Sequence, residues 1–387
     1  MTSLKNKIKS TSVNIFDRLF VTKVRANEIK KYKQKCRVDI YSKIKLTDAQ
    51  KKEIDDLYLT NYGEKIPYVW HQNFMAHSGK FDAKYFPELL YIPEFEHFMN
   101  LWPEYATAFS DKNVLPVIAC NAGIKMPKTL LAVSKGICKD EKGNILKKEE
   151  AIKLIENVGK VFIKPTVDSC SGQGCFIADF KNGKDEISNR TLEEIYDSLG
   201  MDFVVQDIVK CHPSIARIYS GSVNTFRIIT YRWKDDILHM PVIMRIGQGN
   251  SYLDNAHAGG MFIALDDDGT MHKTAMTEFN TQYTEHPDTG LVFENYKIDL
   301  IPEAIEAAKK MHTAIPQLGV VNWDFTIDSD GDPLLIEANL RGGSVWLPEM
   351  AHGCGAFGDK TEEVLQWMRK MKSLPKTERY KFAFGKM

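Results

Sequence analysis

Hydrophobic periodicity splits the chain into a helical first part and a strand-rich remainder. Ile15, Phe16, Leu19 and Phe20 recur at helical spacing, and a second amphipathic run from Asp48 to Leu59 follows Thr47, a residue that caps helices well. The stretch Tyr68 to Phe86 gathers aromatics with His71, His77 and Lys80; it reads as a packed aromatic cluster with surface histidines, with an acceptor-substrate surface as the alternative. Character changes at Asp111-Lys112. After a helix-like stretch come apolar runs of strand length: 123–133 with a proline near its start, VFIKP at 161–165, CFIADF at 175–180, DFVVQDIV at 202–209, TFRIITYRW at 225–233, ILHMPVIMRI at 237–246, and 261–265. Turn residues separate them, Lys-Asp-Asp at 234–236 and Asp-Asp-Asp-Gly at 266–269 among them. Helical patterns interleave at 149–158, at 191–199, at 301–317, closed by Gly319, and at 361–371. This mixture predicts an α+β protein.

The run VVNWDFTIDSDGDPLLIEANLRGGS, 320–344, places charge where a sheet should avoid it. Two β-rich segments, Val320 to Asp328 and Pro333 to Asn339, flank a Ser-Asp-Gly-Asp turn, which predicts a hairpin. With Asp328 facing Pro333, antiparallel counting sets Asp324 opposite Glu337, and the period of two sends Asn339 to the face of Glu337. Like charges directly opposed cost up to about 1 kcal/mol, and burying them unpaired costs more. Two readings fit: a solvated acidic hairpin, or oxygen ligands for a hard divalent cation such as Mg²⁺. Trp323, Phe325, Leu335, Ile336 and Leu340 around the carboxylates argue against full solvation. Arg341 and the backbone amides of Gly342-Gly343 follow as anion-binding groups.

Lys164 stands on an otherwise apolar strand, before a loop from Asp168 to Gly174 whose small residues let backbone amides approach a phosphate. An ordinary turn beside a snorkelling lysine is the competing reading. The loop is not a P-loop, because no Gly-Lys-Ser/Thr follows and it leads into a strand. Arg227 and Arg245 sit among apolar neighbours on adjacent predicted strands, either as salt-bridge partners or as receptors for phosphate or carboxylate. Between strands, the loop at 250–262 carries Asn255, His257, Gly259 and Gly260, a flexible polar segment of the kind that closes over substrates.

Composition narrows the class. A chain of 387 residues, 43% apolar and 26% charged, has room for two or three domains and is not disordered. Formal net charge is zero, so no global field draws it to nucleic acid. Residues 1–45 depart from that mean with thirteen Lys and Arg against three acids: a solvated basic helix face, or contact with a membrane surface or an acidic partner. No run approaches the roughly 18 apolar residues of a membrane span, and a cytoplasmic protein is expected. Seven cysteines without a CxxC pair argue against a zinc ribbon or a disulfide framework. Neither Gly-x-Ser-x-Gly nor zinc-hydrolase histidine spacing occurs, so no dedicated nucleophile is read.

Taken in order, Asp111-Lys112, VFIKP with its Gly-rich loop, VVQDIV, NTFRIITY and WDFTIDSDGDPLLIEANLRGG resemble an ATP-grasp domain over about 110–355. GKFDAKYFPELLY and HPSIARIYSGSVNTFRI resemble the sugar-transfer-associated branch of that superfamily. The resemblance implies two α/β lobes sandwiching ATP, at 111–207 and 208–387, behind a helical region at 1–110. By the same resemblance Lys164 and Lys112 contact the α- and β-phosphates, and Ser171, Gly172, Gln173 and Gly174 fold over the triphosphate. Gln206, Asp207, Ile208 and Val209 hold adenine; Arg227, with Asn224 nearby, contacts phosphate; Arg245 meets phosphate or a substrate carboxylate. Asp324, Glu337 and Asn339 hold Mg²⁺, and Arg341 meets the γ-phosphate or an acylphosphate. The implied activity is ATP-dependent carboxylate–amine ligation through an acylphosphate, attaching an amino acid or peptide-like group in polysaccharide or related metabolite assembly. A small-molecule or sugar kinase acting on a hydroxyl, and a nucleotide-binding module without turnover, are the alternatives. Cys170 and Cys175 flanking the Gly-rich loop depart from the family pattern.

Overall fold

The computed structural model describes residues 2–166, 174–200 and 202–387, with side chains from Ser12 onward except Pro103. Ser171, Gly172 and Gln173 lie outside the described residues. Helices α1 (Thr2–Tyr32), α2 (Lys35–Tyr41), α3 (Asp48–Asn61) and α4 (Val69–Ser78) come first, followed by α5 (Pro103–Phe109) and α6 (Leu115–Asn121). Thr47 caps α3 in a reciprocal box with Gln50. His71 and His77 are not surface residues: both are buried, His71 against the Ala83 carbonyl and His77 between those of Asn73 and Glu278. Burial pushes the His71 imidazole down to about 4, so it is a neutral core residue.

Strands β1 (Thr129–Ser134), β2 (Ile137–Asp140), β3 (Ile145–Leu146), β4 (Gly159–Pro165), β5 (Phe176–Lys181), β6 (Lys184–Asp185) and β7 (Asp202–Asp207) form one antiparallel sheet in the order β3-β2-β1-β7-β4-β5-β6. Its β2–β3 hairpin falls in the charged segment 135–150, where polar composition hid the strands. Alternation decides its faces. Val161 and Ile163 of β4 and Phe203 and Val205 of β7 pack on α7 (Lys148–Ile155) and α8 (Leu192–Leu199), which turns Phe162, Lys164 and Gln206 to the opposite side.

A second sheet contains β8 (Thr225–Trp233), β9 (Asp236–His239), β10 (Val242–Ile246), β11 (Met261–Leu265), β12 (Ala275–Met276), β13 (Gln282–Tyr283), β14 (Val320–Ile327) and β15 (Pro333–Asn339). Its order is β13-β12-β11-β10-β8-β14-β15, with β9 also on β8. The expected strand 237–246 is two, because Pro241 offers no N–H and the pairing with β8 shifts by one residue there. Helix α9 (Ile301–Ala314) stops before the expected Gly319, which instead lies in the bend just before β14, its N–H donating to Asn100 Oδ1. Phe226, Ile228, Trp323 and Phe325 pack beneath α9. On the other face Ile229, Tyr231, Ile243 and Val320 pack against the N-terminal helices, α10 (Trp346–His352) and α11 (Thr361–Ser373), so the helical region and this sheet share one core. Among the described residues no helix is long and apolar enough to cross a membrane.

Candidate functional site

That second face changes character along β8: Tyr231 and Ile229 are covered by helices, whereas Arg227 and Thr225, the next residues in the same period, open into a cavity of about 1480 Å³ between the two sheets. Its volume exceeds the several hundred Å³ of a usual single-ligand pocket. Pairing places Arg227 opposite Asp324 and Asp324 opposite Glu337, a charged row across β8, β14 and β15, and sets Arg245 of β10 opposite Thr225, one same-face step along from that row.

The hairpin reaches this register by a different route from simple counting. Ile327, not Asp328, faces Pro333, and a bulge at Ile336 restores the Asp324–Glu337 pairing. Asp324 is buried, and its carboxylate is held in place by cations and an amide. Arg227 Nε donates to Oδ1 at 2.5 Å and its Nη2 to Oδ2 at 3.2 Å; Arg245 Nη2 and Asn339 Nδ2 donate to Oδ2 at 3.2 and 3.0 Å. Burial opposes its ionisation, but the two guanidinium groups outweigh burial and hold the carboxyl below the ordinary Asp range. Arg245 also donates to Thr225 Oγ1 at 3.0 and 2.8 Å and lies 3.3 Å from Asp254, whose carboxylate accepts from the Thr225 amide at 2.9 Å. Thr225 and Asp254 thus belong to the site; Thr225 was legible as the same-face neighbour of Arg227, whereas nothing in the spacing pointed to Asp254.

Glu337 differs from Asp324, with a side chain 39% exposed and Lys112 Nζ at 3.7 Å. Glu337 and Asn339 present oxygen donors to the cavity, suited to a hard divalent cation; Asp324 can join them only by exchanging arginine hydrogen bonds for the ion. On the opposite wall Lys164 is buried on β4, and burial pushes its ammonium down to about 8, with Glu337 acting against that shift and Lys112 adding to it. Gln206, Asp207, Ile208 and Val209 line the same cavity with Phe162 and Ile177, and Gln206 donates to Thr129 Oγ1 at 3.0 Å. Gly174 holds φ +73°, and a side chain there would meet Pro165 at 2.9 Å.

Three expected contacts are placed elsewhere. Asn224 is fully buried and braces the loop before β8, donating to the Tyr219 carbonyl and accepting from Ser222 and Gly247, so it offers nothing to a phosphate. The Gly342 and Gly343 amides do bind an anion, but an internal one: Glu96 accepts them at 2.8 and 2.7 Å. Glu96 is itself pushed up to about 7 by burial, which the two N–H groups only partly offset. Gly259 and Gly260 do not line the cavity; a Cβ on Gly260 would stand 2.4 Å from the Asp254 carbonyl, a close approach that requires glycine. Arg341 remains at the rim, donating to Thr107 Oγ1 at 2.9 Å.

Asn255 and His257 do face the cavity. Asn255 Oδ1 accepts the His257 amide, and the half-exposed imidazole pairs through Nδ1 with Glu278 Oε2 at 2.5 Å and lies 5.9 Å from the Trp346 ring. Arg37 from α2 binds the other oxygen of Glu278 at 2.7 Å. This Arg37–Glu278–His257 chain joins residues 241 and 21 positions apart, a separation no local motif records. Tyr252 donates to the Cys175 carbonyl at 3.1 Å, linking this loop to the first sheet.

Residues 93–364 match the model of a family described as sugar-transfer associated ATP-grasp. Among solved structures the chain is similar to the ADP complex of an N5-carboxyaminoimidazole ribonucleotide synthetase, at 13% identity and TM-score 0.37, covering 61% of this chain and 45% of that one. It is also similar to the D-Ala:D-Ser ligase of Enterococcus faecalis, at 14% identity, TM-score 0.40 and 68% and 62% coverage. The D-alanine–D-alanine ligase of Bacillus anthracis gives 17%, 0.39, 71% and 69%. The chain thus spans less than half the length of the first of these. No curated protein matches it. With the family model extending over more than half of the sequence, the chain belongs to the sugar-transfer associated ATP-grasp family.

Proposed function

We propose that this protein is an ATP- and Mg²⁺-dependent carboxylate–amine ligase working through an acylphosphate, in which 111–207 and 208–387 act as the two ATP-holding lobes and 1–110 as a helical buttress. The observation that carries the reading is the charged row Arg227, Asp324, Glu337, with Arg245 reaching Asp324 from the adjacent position, facing a buried, cavity-side Lys164 in a cavity large enough for a nucleotide and a second reactant. Lys164 and Lys112 are the α/β-phosphate contacts, and Gln206 to Val209 with Phe162 and Ile177 bracket adenine. Glu337 and Asn339, with Asp324, hold Mg²⁺, which neutralises phosphate charge when bound. Arg245, Arg227 and Arg341 orient the carboxylate and the transferred phosphoryl group.

A substrate carboxylate oxygen attacks the γ-phosphorus and ADP leaves; an amine nitrogen then bonds the acyl carbon, the C–O bond to phosphate breaks, and the amine loses one proton. His257 is placed to take it, since its Nδ1 is committed to Glu278 and its Nε2 is left as the base. The family's description suggests an acceptor that is a sugar, a polysaccharide precursor or a related metabolite. The same His257–Glu278 pair also suits deprotonation of a hydroxyl, which favours an ATP-dependent sugar or small-molecule kinase as the second reading. An ADP-release screen of carboxylate and amine pairs, run with hydroxylamine, separates them. Ligation gives a hydroxamate from the carboxylate alone; ADP release with a sugar and no hydroxamate selects the kinase, and no ADP release with any pair removes both.

A further inference from the structure

On α1 four large apolar side chains in adjacent turns are exposed: Ile15, Phe16 and Leu19 by 53%, 72% and 58%, and Phe20, one side of whose ring packs on His97, by 48%. The 15/19 and 16/20 spacing joins them into one stripe, unlike the scattered apolar residues normal on a soluble surface. The inward side of the helix carries its ion pairs. Asp17 pairs with His97 and Arg379, Glu28 with Lys31, and Arg25 with Glu94 and Tyr62. Both acids of α1 are therefore buried, at 5% and 4% exposure, while Arg18, Lys23, Lys30 and Lys31 are exposed. The outer surface of α1 from Ser12 to Tyr32 thus combines an apolar stripe with cations and no exposed carboxylate.

We infer that α1 docks this protein onto an anionic lipid bilayer, lying in the interface with Ile15, Phe16, Leu19 and Phe20 at the headgroup–acyl boundary and the lysines on lipid phosphates. Apolar burial and attraction to anionic headgroups add in such a helix, and the absence of exposed acids removes the repulsion that would oppose it. A second copy of the chain is the less fitting occupant, because two such faces brought together would juxtapose their cations.

Flotation of the full chain with phosphatidylglycerol–phosphatidylcholine vesicles, against phosphatidylcholine alone, tests this. The parent is expected to float only with the anionic vesicles and to be released as salt is raised to about 0.5 M. Phe16→Ser with Leu19→Ser should lower partitioning by about tenfold or more, with circular dichroism and thermal midpoint unchanged. Lys23→Gln and Lys30→Gln should each lower it about fivefold. A parent that does not float, or a serine double variant that floats like the parent, overturns the inference. So does sedimentation showing a parental dimer that the serine variant dissolves, since the stripe would then be covered by a second copy.

Discussion

The two walls of the cavity handle buried charge in opposite ways. On the second sheet Asp324 is matched by Arg227, Arg245 and Asn339, and Asp254 by Thr225 and Arg245, so the wall carries its own counter-charges. On the first sheet the Lys164 ammonium is buried with no close hydrogen bond or ion pair among the described residues, and burial pushes it down to about 8, with Glu337 only partly offsetting that. A self-neutralised wall is rigid and preorganised; a wall with an under-compensated ammonium is stabilised when an anion arrives. The contrast teaches that Arg227 and Arg245 are already engaged by carboxylates of their own sheet, whereas the cation left without a close counter-charge lies across the cavity from them.

The comparison breaks first at Asp324. Asp324→Ala should cost about 3–5 kcal/mol in urea unfolding, because it strands Arg227 in the interior and leaves Arg245 with Asp254 alone. Combining Arg227→Met with Asp324→Leu should recover most of it; a single variant costing under about 1 kcal/mol would show that the row is not self-neutralised. Lys164→Met should do the reverse. The folded-state value lies below the unfolded one, so in the parent the stability tied to Lys164 is present above about pH 10.5 and lost as pH falls through about 8. The variant should therefore be more stable at pH 7, by up to about 3 kcal/mol, with the gain vanishing toward pH 10.5. ATP binding by calorimetry should meanwhile weaken about ten- to a hundredfold. Parental ATP affinity in that variant removes Lys164 from the phosphate site.

Glu96 sharpens the picture at the rim. Its folded-state value, about 7, is raised above the ordinary 4.5, so its contribution is complete below about pH 4.5 and is lost as pH rises through 7. Thermal melts of the parent should fall over that window, by up to about 3 kcal/mol, and Glu96→Gln should flatten the slope. An unchanged slope would mean that the Gly342 and Gly343 amides keep Glu96 ionised throughout. The smallest change in stability is expected for Glu337→Gln, within about 0.5 kcal/mol for a half-exposed side chain. The same variant should lose Mg²⁺-dependent ATP turnover; retained turnover at saturating Mg²⁺ would remove Glu337 from the proposed cation site.

Local pattern carried much of the architecture, because alternation and turn chemistry are properties of neighbouring residues. TFRIITYRW and the hairpin at 320–339 folded as read, and Asp324 does face Glu337, although a bulge had to correct the count. The misreadings have a common cause. Gly342 and Gly343 are read by residue type and Asn224 by the family resemblance, and their partners, Glu96, Tyr219 and Gly247, are supplied by loops and helices whose approach no spacing encodes. His71 and His77 look like surface residues in a list and are core residues in the fold, since helices docking on β8 and β14 enclose them.

The sequence by itself determined which residues share a strand face, since a period of two makes Thr225, Arg227, Ile229 and Tyr231 neighbours whatever the fold does next. Only the tertiary structure decided where along that face the helices stop and the cavity begins, and hence that Ile229 is core while Arg227 is site. The physical reason is that burial and counter-charge are set by segments far away in the chain: Arg37 reaching Glu278 behind His257, Glu96 reaching Gly343, and Asp324 drawing two arginines from two strands.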